Sequence, residues 1–594
     1  MATRLAEYGT IEIPVSGGRR SDLPAGHASF PLGDSPDIRN VLLHEGRLRK
    51  WPGRVAFTSA VLGGSTPVPV RGLWRFSLAS GNQFLLATDG RDIWKHNTTG
   101  PTWDLLTPLY TTGTAAFTHN SAAVVGTATS WDANNCKAGM KIKLNADGVY
   151  AEVLSLDVGS QTITLTAIYS GAGGGAGAYT LRQRRSAAGA RWMRAAIGSD
   201  QIVLVNGVDA ALTWDGALST FLELAGSPPV CRFVTTFHQR NLLVMARDQN
   251  SPLRLQNSDA ADYAEWTLNL AESYDFEEST APITGVDGGH EYLYLFRENG
   301  IWRGFWEGFG VGISWTQVPG IDGPVYPNTL VRLGGEAQTG GEAPVAKWAY
   351  LGQGNVHGFD GDRIDPIGDA VRALIFDSID PAYPDSAVGN VIPEWGLAIW
   401  SWPTIGSAGI PTDSIAYDYK RNLWFPRTAG FSAFGAYDLT AGDVTWDSLV
   451  GSIDSQSRIF DAINVAPQPV CLVGDETGHV WYLAWLVNDA GAAISAQRST
   501  PIVALDKQAS CYEVGAVEFR TTAPAGSQFA VTVLGGERPE DVSQLQQVIV
   551  TVSSSGPCIA YLRCAARYLQ VRIDNEELNG EYGLYDLRVR ARAL

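Results

Sequence analysis

The hydrophobic and polar positions repeat as short apolar runs broken by tight polar turns. Phe84-Leu85-Leu86-Ala87-Thr88 meets Asp89-Gly90, and Ile93-Trp94 follows. Ile202 to Val205 meets Asn206-Gly207 before Leu212-Thr213-Trp214, and Leu242 to Met245 meets Asp248-Gln249-Asn250 before Leu253 to Leu255. Tyr292 to Phe296 meets Asn299-Gly300 before Ile301-Trp302, and Trp348 to Leu351 meets Gly354-Asn355 before Val356 to Phe359. Ile415 to Asp418 meets Lys420-Arg421-Asn422 before Leu423-Trp424-Phe425, and Val470 to Val473 meets Thr477-Gly478 before Val480-Trp481-Tyr482. Asn-Gly and Asp-Gly pairs supply the positive φ angles of a two-residue hairpin. Hairpins recurring every 40–50 residues or so, each the centre of one small antiparallel sheet, are what propeller blades show. The pattern predicts an all-β chain with a β-propeller-like core of about six to eight blades. A string of separate β-sandwich domains is the alternative. One helix is predicted, Asp369 to Ile379, with Val371, Leu374, Ile375 and Ile379 on one face and Asp369 as N-cap.

Two stretches break the period. Residues 108–184 read as an inserted small β domain, opened by the run Val124–Trp131 and continued by strand-like runs at Ala138–Leu144, Val153–Leu156, Thr162–Thr166 and Ala178–Leu181. Removing it restores the hairpin spacing. From about Gln497 alternating strands replace the blade pattern, at Ala516–Arg520, Phe529–Val533, Val548–Val552, Tyr568–Ile573 and Tyr585–Arg590, which predicts a β-sandwich-like domain. The reading therefore divides the chain into residues 1–107 (N-terminal segment and first blade), 108–184 (inserted domain), 185–496 (remaining blades) and 497–594 (C-terminal sandwich). Arg572, Arg588, Arg590 and Arg592 make the last part locally basic, either a solvated strand face or a contact for an acidic partner.

Composition narrows the function classes. The 594 residues hold 44 Lys+Arg against 61 Asp+Glu, a formal net charge of −17. That balance argues against a surface that wraps nucleic acid or adheres to anionic membranes. The 65 Gly and 30 Pro suit many short elements and turns. No run approaches the roughly 18 apolar residues of a membrane helix, so no membrane insertion is expected, and the polar stretch Met1 to Tyr8 predicts a soluble chain made in a cytoplasm. The six cysteines, Cys136, Cys231, Cys471, Cys511, Cys558 and Cys564, read as reduced; Cys558 and Cys564 lie about 20 Å apart along one strand face, too far for a disulfide.

The sequence predicts no catalytic residues, no metal ligands and no cofactor. The eight histidines never fall at ligand spacing. Gly171 to Gly177 lacks the Lys-Ser/Thr pair of a phosphate loop and reads as a hairpin tip. Asp360 to Asp365 is too short for an EF-hand and reads as turn chemistry; Tyr274 to Glu278 reads as a solvated acidic loop. Trp94, Trp214, Trp302, Trp424 and Trp481 recur at corresponding hairpin positions and read as blade packing rather than sugar platforms. Asp438 to Trp446 echoes the Asp-box turn of sialidase propellers, once and at the wrong spacing.

Four segments carry a resemblance. Arg39-Asn40-Val41, with Gly46-Arg47-Leu48 and Trp51-Pro52-Gly53, resembles the opening hairpin of β-propeller tail proteins of short-tailed bacteriophages, the nozzle or tail-tube hub; Trp51 stands where that family commonly has Arg. Ser251 to Asp259 with Trp266, and Ala566 to Ile573, resemble two further segments of it, and residues 108–184 resemble a small β domain of phage tail and fibre proteins. The resemblance implies a non-enzymatic virion protein, assembled in the host cytoplasm. It would form a homo-oligomeric ring, a hexamer, below the portal and adaptor proteins, line the distal DNA-ejection channel, and carry tail fibres or spikes. A glycan-binding tail-tip protein and a polysaccharide depolymerase are the rival expectations.

Overall fold

The computed structural model describes residues 9–27, 29–98, 100, 102–187, 193–237, 241–260, 262–288, 291–308, 312–334, 348–439, 468–485, 488–504, 511–553, 557–578 and 582–593. Among them lie seven four-stranded antiparallel sheets, and these are the blades of a propeller. Six are continuous in sequence. The first runs from Gly72–Ser77 to Thr102–Leu105, the second from Arg194–Gly198 to Leu222–Glu223, and the third from Cys231–Phe237 to Glu272–Asp275. The fourth runs from Ile283–Gly288 to Gly312–Gln317, the fifth from Val331–Arg332 to Ile364–Pro366, and the sixth from Val388–Ile392 to Leu423–Arg427. The seventh takes Ala433–Leu439, Gln468–Gly474 and Val480–Ala484, and borrows its fourth strand, Gly53–Ala56, from far upstream. Its first strand lies against that of the first blade, so the ring closes.

Apolar side chains fill each gap between consecutive blades. Phe76, Leu86, Trp214 and Phe221 pack between the first and second. Phe237, Val244, Leu293 and Trp302 pack between the third and fourth, and Leu73, Leu85, Tyr437 and Leu472 seal the first against the seventh. First strands crowd around the axis, where there is little room for side chains. A Cβ on Gly288 would stand 2.0 Å from the carbonyl oxygen of Thr236 in the neighbouring blade. One on Gly435 would meet Leu73 Cβ at 2.6 Å.

The seven hairpins are all present, with one offset. Six pair the second and third strands of a blade, whereas Ile415–Asp418 with Leu423–Phe425 pairs the third and fourth of the sixth. That offset of one strand lengthens the spacing into this hairpin.

Residues Leu109 to Arg182 form a separate eight-stranded sheet around their own core of Phe117, Trp131, Ile142, Ile163, Tyr179 and Leu181, entered from the fourth strand of the first blade. The glycine run is not a hairpin tip. Gly173–Gly177 is a strand paired with Thr114–Thr118, and Gly173, at φ +74°, sits where a Cβ would strike the backbone of His119 and Phe117 at 2.8 Å.

The C-terminal part is a two-sheet sandwich, and the N-terminus completes it. Leu584–Ala593, Tyr512–Thr521 and Cys558–Ala566 share a sheet with Gly9–Glu12, Val41–His44 and Arg47–Lys50. Tyr568–Asn575, Gln528–Gly536 and Ser543–Thr551 share the other with Ile38–Arg39, Ala496–Ser499 and Val503–Ala504. Residues 1–107 are thus not one unit: their strands serve the sandwich, the seventh blade and the first blade in turn. The sandwich core is continuous with the packing of the sixth and seventh blades, through Ile399, Phe425, Phe431 and Leu483.

The helix at 369–379 is shorter than its apolar periodicity predicts. Asp369–Val371 is a 3-10 turn and Arg372–Phe376 the only α-helical stretch there. Asp369 does not cap it; its carboxylate accepts from Asn355 Nδ2 at 2.8 Å. Val371, Ile375 and Ile379 are buried in the core between the fifth and sixth blades, and tertiary burial set the apolar spacing. Among the described residues no helix is long and apolar enough to cross a membrane.

Candidate interaction surfaces

Two seams and one sheet face concentrate the polar chemistry. The first seam joins the inserted domain to the propeller. Asp89 of the first blade's turn accepts from the backbone N–H of Arg91 at 2.8 Å and of Asp92 at 2.6 Å. Asp92 accepts from Arg182 Nε at 2.7 Å and from Thr107 Oγ1 at 3.0 Å, and pairs with Arg184 at 2.5 Å. Arg184 also reaches Asp89 at 3.2 Å. Burial pushes the Asp92 carboxyl up, and Arg182 and Arg184 pull it back. In return Arg91 donates to the carbonyl of Gly139 in the domain at 2.7 Å. Lys137 reaches Asp209 of the second blade at 3.8 Å. The inserted domain is therefore clamped at its root to two blades.

The second seam joins propeller and sandwich. Asn40, in the left-handed region at φ +55°, donates to Ser495 O at 2.7 Å and to Thr428 Oγ1 at 2.9 Å, and accepts from Thr428 N at 2.9 Å. Trp51 is buried, and the Arg427 guanidinium lies 5.4 Å from its ring. Arg427 donates to Pro52 O at 2.9 Å and pairs with Asp489 at 2.9 Å; Asp489 also accepts from Arg54 of the closing strand at 2.7 Å. Burial opposes the charge on Asp489, but Arg427 and Arg54 win and hold its carboxyl below the ordinary range. Nothing in the hydrophobic pattern marks this network, because Asn40, Arg427 and Asp489 meet only when distant strands do.

The basic residues of the sandwich lie on both of its sheets. The basic residues there are matched by carboxylates of the same sheet. Arg592 pairs with Glu513, Arg590 with Glu518, Arg588 with Glu12 at 3.0 Å, and Arg572 with Asp574 at 3.0 Å. Arg588, Arg590 and Arg592 pair across strands, and Arg572 pairs within its own strand. A polar cleft of about 530 Å³ opens on the sheet that carries Arg572, lined by Gln497, Gln528, Gln547, Ile549, Arg572 and Asp574 among others.

The remaining candidates fall into place as structural groups. Asp360 accepts from the backbone N–H groups of Asp362 and Arg363, at 3.0 and 2.8 Å, as a turn does. Tyr274 and Asp275 belong to an edge strand rather than a loop, and Asp275 holds Arg254 in two hydrogen bonds of 2.8 and 2.9 Å. Trp94, Trp214, Trp302 and Trp424 are buried in the blade packing; Trp481 is half-buried and donates to Asp475 at 2.8 Å. All six cysteines are free thiols. Among the described residues no group of three or more His, Cys, Asp or Glu could hold a metal ion. Asp438 pairs with Arg75 at 2.6 Å, while Asp443 to Trp446 lie outside the described residues.

No protein-family model matches the chain, and no curated protein matches it. Among solved structures it is similar to Saccharomyces cerevisiae Sqt1, at 9% identity and a TM-score of 0.34, over 76% of this chain and 100% of that one. It is similar also to the Neurospora crassa Pan2 WD40 domain, at 10% identity and a TM-score of 0.25, over 74% of this chain and 97% of that one. A third is YCF48 bound to D1 peptide, at 9% identity and a TM-score of 0.25, over 75% and 98%. At that level the likeness carries no argument; the propeller stands on its seven sheets and their closure.

The charge is unevenly spread along the sequence. Residues 185–496 hold 37 Asp+Glu against 17 Lys+Arg, while the rest of the chain holds 24 against 27. The negative charge thus belongs to blades two to seven.

Proposed function

We propose that the chain is a structural subunit of a short-tailed phage tail, a ring-forming nozzle or hub around the distal DNA channel. The observation that carries this reading is the N-terminal hairpin. The residues of the resemblance, Asn40 and Trp51-Pro52-Gly53, are the ones that stitch propeller closure and sandwich into one body with a shared core. A ring under pressure from passing DNA needs such a rigid wall element. The acidic excess of blades two to seven supports a surface that lets DNA pass without holding it. In this reading the channel lies between copies, adaptor proteins bind one end of the ring, and the clamped inserted domain is the attachment point for fibres or spikes.

Electron microscopy of the purified chain with its tail adaptor is the test. A closed ring, six copies around a wide lumen, is expected. Monomers only, or a lumen lined by basic side chains, would overturn the reading. Deleting residues 110–182 should leave the propeller folded and abolish ring assembly or fibre attachment; normal virions from that deletion would remove the role given to the domain. The rival glycan-binding reading has one observation in its favour, the polar cleft on the sandwich. It predicts saturable glycan binding by monomers that Gln547→Ala weakens.

A further inference from the structure

The outer face of one sandwich sheet is hollowed at its centre. On the inner strand Gln528–Gly536, Ala530 stands between Ile549 of Ser543–Thr551 and Asp574 of Tyr568–Asn575. Its chain neighbours Phe529 and Val531 are buried in the core, so alternation turns Ala530 outward. One register step on, Gln547 and Arg572 flank Thr532, and Gln497 lies opposite Asp574 on the next strand. A methyl group with longer side chains around it leaves the cleft of about 530 Å³. That volume falls in the roughly 300–1,000 Å³ range of small-ligand sites.

The lining holds hydrogen-bonding groups that nothing in the fold engages. Among the described residues the side-chain amides of Gln528 and Gln547 have no partner. Gln497 donates through Nε2 to Asp37 at 2.7 Å, which leaves its Oε1 to accept. Asn575, on the same lining, is only 1% exposed. Its Nδ2 donates to Gln528 O at 2.8 Å, while its Oδ1 accepts from no described group. A buried carbonyl oxygen without a donor is costly unless something supplies one. Ile549 is 67% exposed and adds an apolar surface beside the amides. Carboxamides both donate and accept, as the hydroxyl pairs of a sugar ring require, and an aliphatic side chain suits the ring's C–H face.

Charge decides the class of sugar. The lining carries the carboxylates of Asp574, Glu576 and Glu577 against the guanidinium of Arg572. Asp574 already engages Arg572 at 3.0 Å, and Lys50, on the Glu577 carbonyl at 2.8 Å, offsets one charge more. A negative excess remains. Burial pushes the Asp574 carboxyl up against the pull of Arg572, and Glu576 and Asp37 push it further. We propose that this cleft binds a neutral saccharide and discriminates against acidic ones, because a carboxylate-bearing sugar would meet uncompensated like charge. The proposal rests on the glycan reading of the cleft and narrows it to a class of sugar; it is independent of ring assembly.

The test is calorimetric titration of the full chain at low ionic strength. Maltohexaose, mannohexaose and chitohexaose are the neutral probes and oligosialic acid is the acidic one. At least one neutral probe should bind saturably, and oligosialic acid should bind more weakly by about tenfold or more. Gln547→Ala and Gln528→Ala, both at exposed positions, should each weaken the neutral probe about tenfold without moving Tm. Ala530→Phe, which fills the floor, should abolish binding while Tm shows the sandwich still folded. Oligosialic acid bound as tightly as the neutral probes would overturn the proposal and leave the glycan reading standing. No saturable binding of any probe would overturn both. Binding that Gln547→Ala and Ala530→Phe leave unchanged would put the sugar elsewhere and overturn the proposal.

Discussion

Asn40 shows how much one side chain can hold. It bonds three groups of the sixth blade and the sandwich from a left-handed backbone conformation that asparagine tolerates better than most residues. Asn40→Ala should cost about 2–4 kcal/mol, from lost hydrogen bonds and backbone strain together. Asn40→Gly restores the backbone freedom and should recover about 1 kcal/mol of that, a difference readable by urea unfolding. Asp489 gives the pH dependence. Its folded carboxyl titrates below the unfolded value of about 3.9, so its pairing with Arg54 and Arg427 stabilises fully above that pH. The contribution fades as pH falls through the folded value. Asp489→Asn should therefore destabilise by about 3–5 kcal/mol at neutral pH and flatten the acid limb of the stability curve. An unchanged acid limb would put the dependence elsewhere. Asn40 is visible in the sequence only through the resemblance of its hairpin, which says nothing of its bonds, and Asp489 is one acid of 61.

At the scale of elements, hairpins were the most legible feature, because a two-residue turn and its flanking strands are local. Asp89-Gly90 and Asn206-Gly207 carry their positive φ angles on the glycines, +88° and +77°. The same locality misled at 369–379, where an apolar spacing of helical period is met mostly by packing between two blades. The strand Gly53–Ala56 is the opposite case. Its pairing with Val480–Ala484 lies over 400 residues away in sequence, beyond any periodicity argument. The root of the inserted domain is a further such pairing. Asp92→Asn would leave Arg182 and Arg184 facing one carboxylate fewer. It should loosen the domain by about 3–5 kcal/mol while the blades keep their protection. Hydrogen exchange would show this as faster exchange confined to residues 109–182; acceleration across the first blade as well would mean the joint holds the propeller too.

For the whole molecule, the cores define the cooperative units. One apolar core runs from the sandwich into the sixth and seventh blades, whereas the inserted domain keeps its own. Calorimetry should therefore show two transitions, a large one for propeller and sandwich together and a small one for the inserted domain, and deletion of residues 110–182 should remove only the small one. Three separate transitions would contradict the shared core. The sequence by itself determined that the chain is all-β, that its turns recur as blades, and that residues 108–184 and the C-terminal part break the repeat. Those properties follow from local patterns: turn chemistry, alternation and spacing. Only the tertiary structure decided the count of seven, the closure by an upstream strand, and the N-terminal share of the sandwich. Each of these depends on which distant segments meet when the ring closes, and the hydrophobic pattern records that a strand is buried without recording against what.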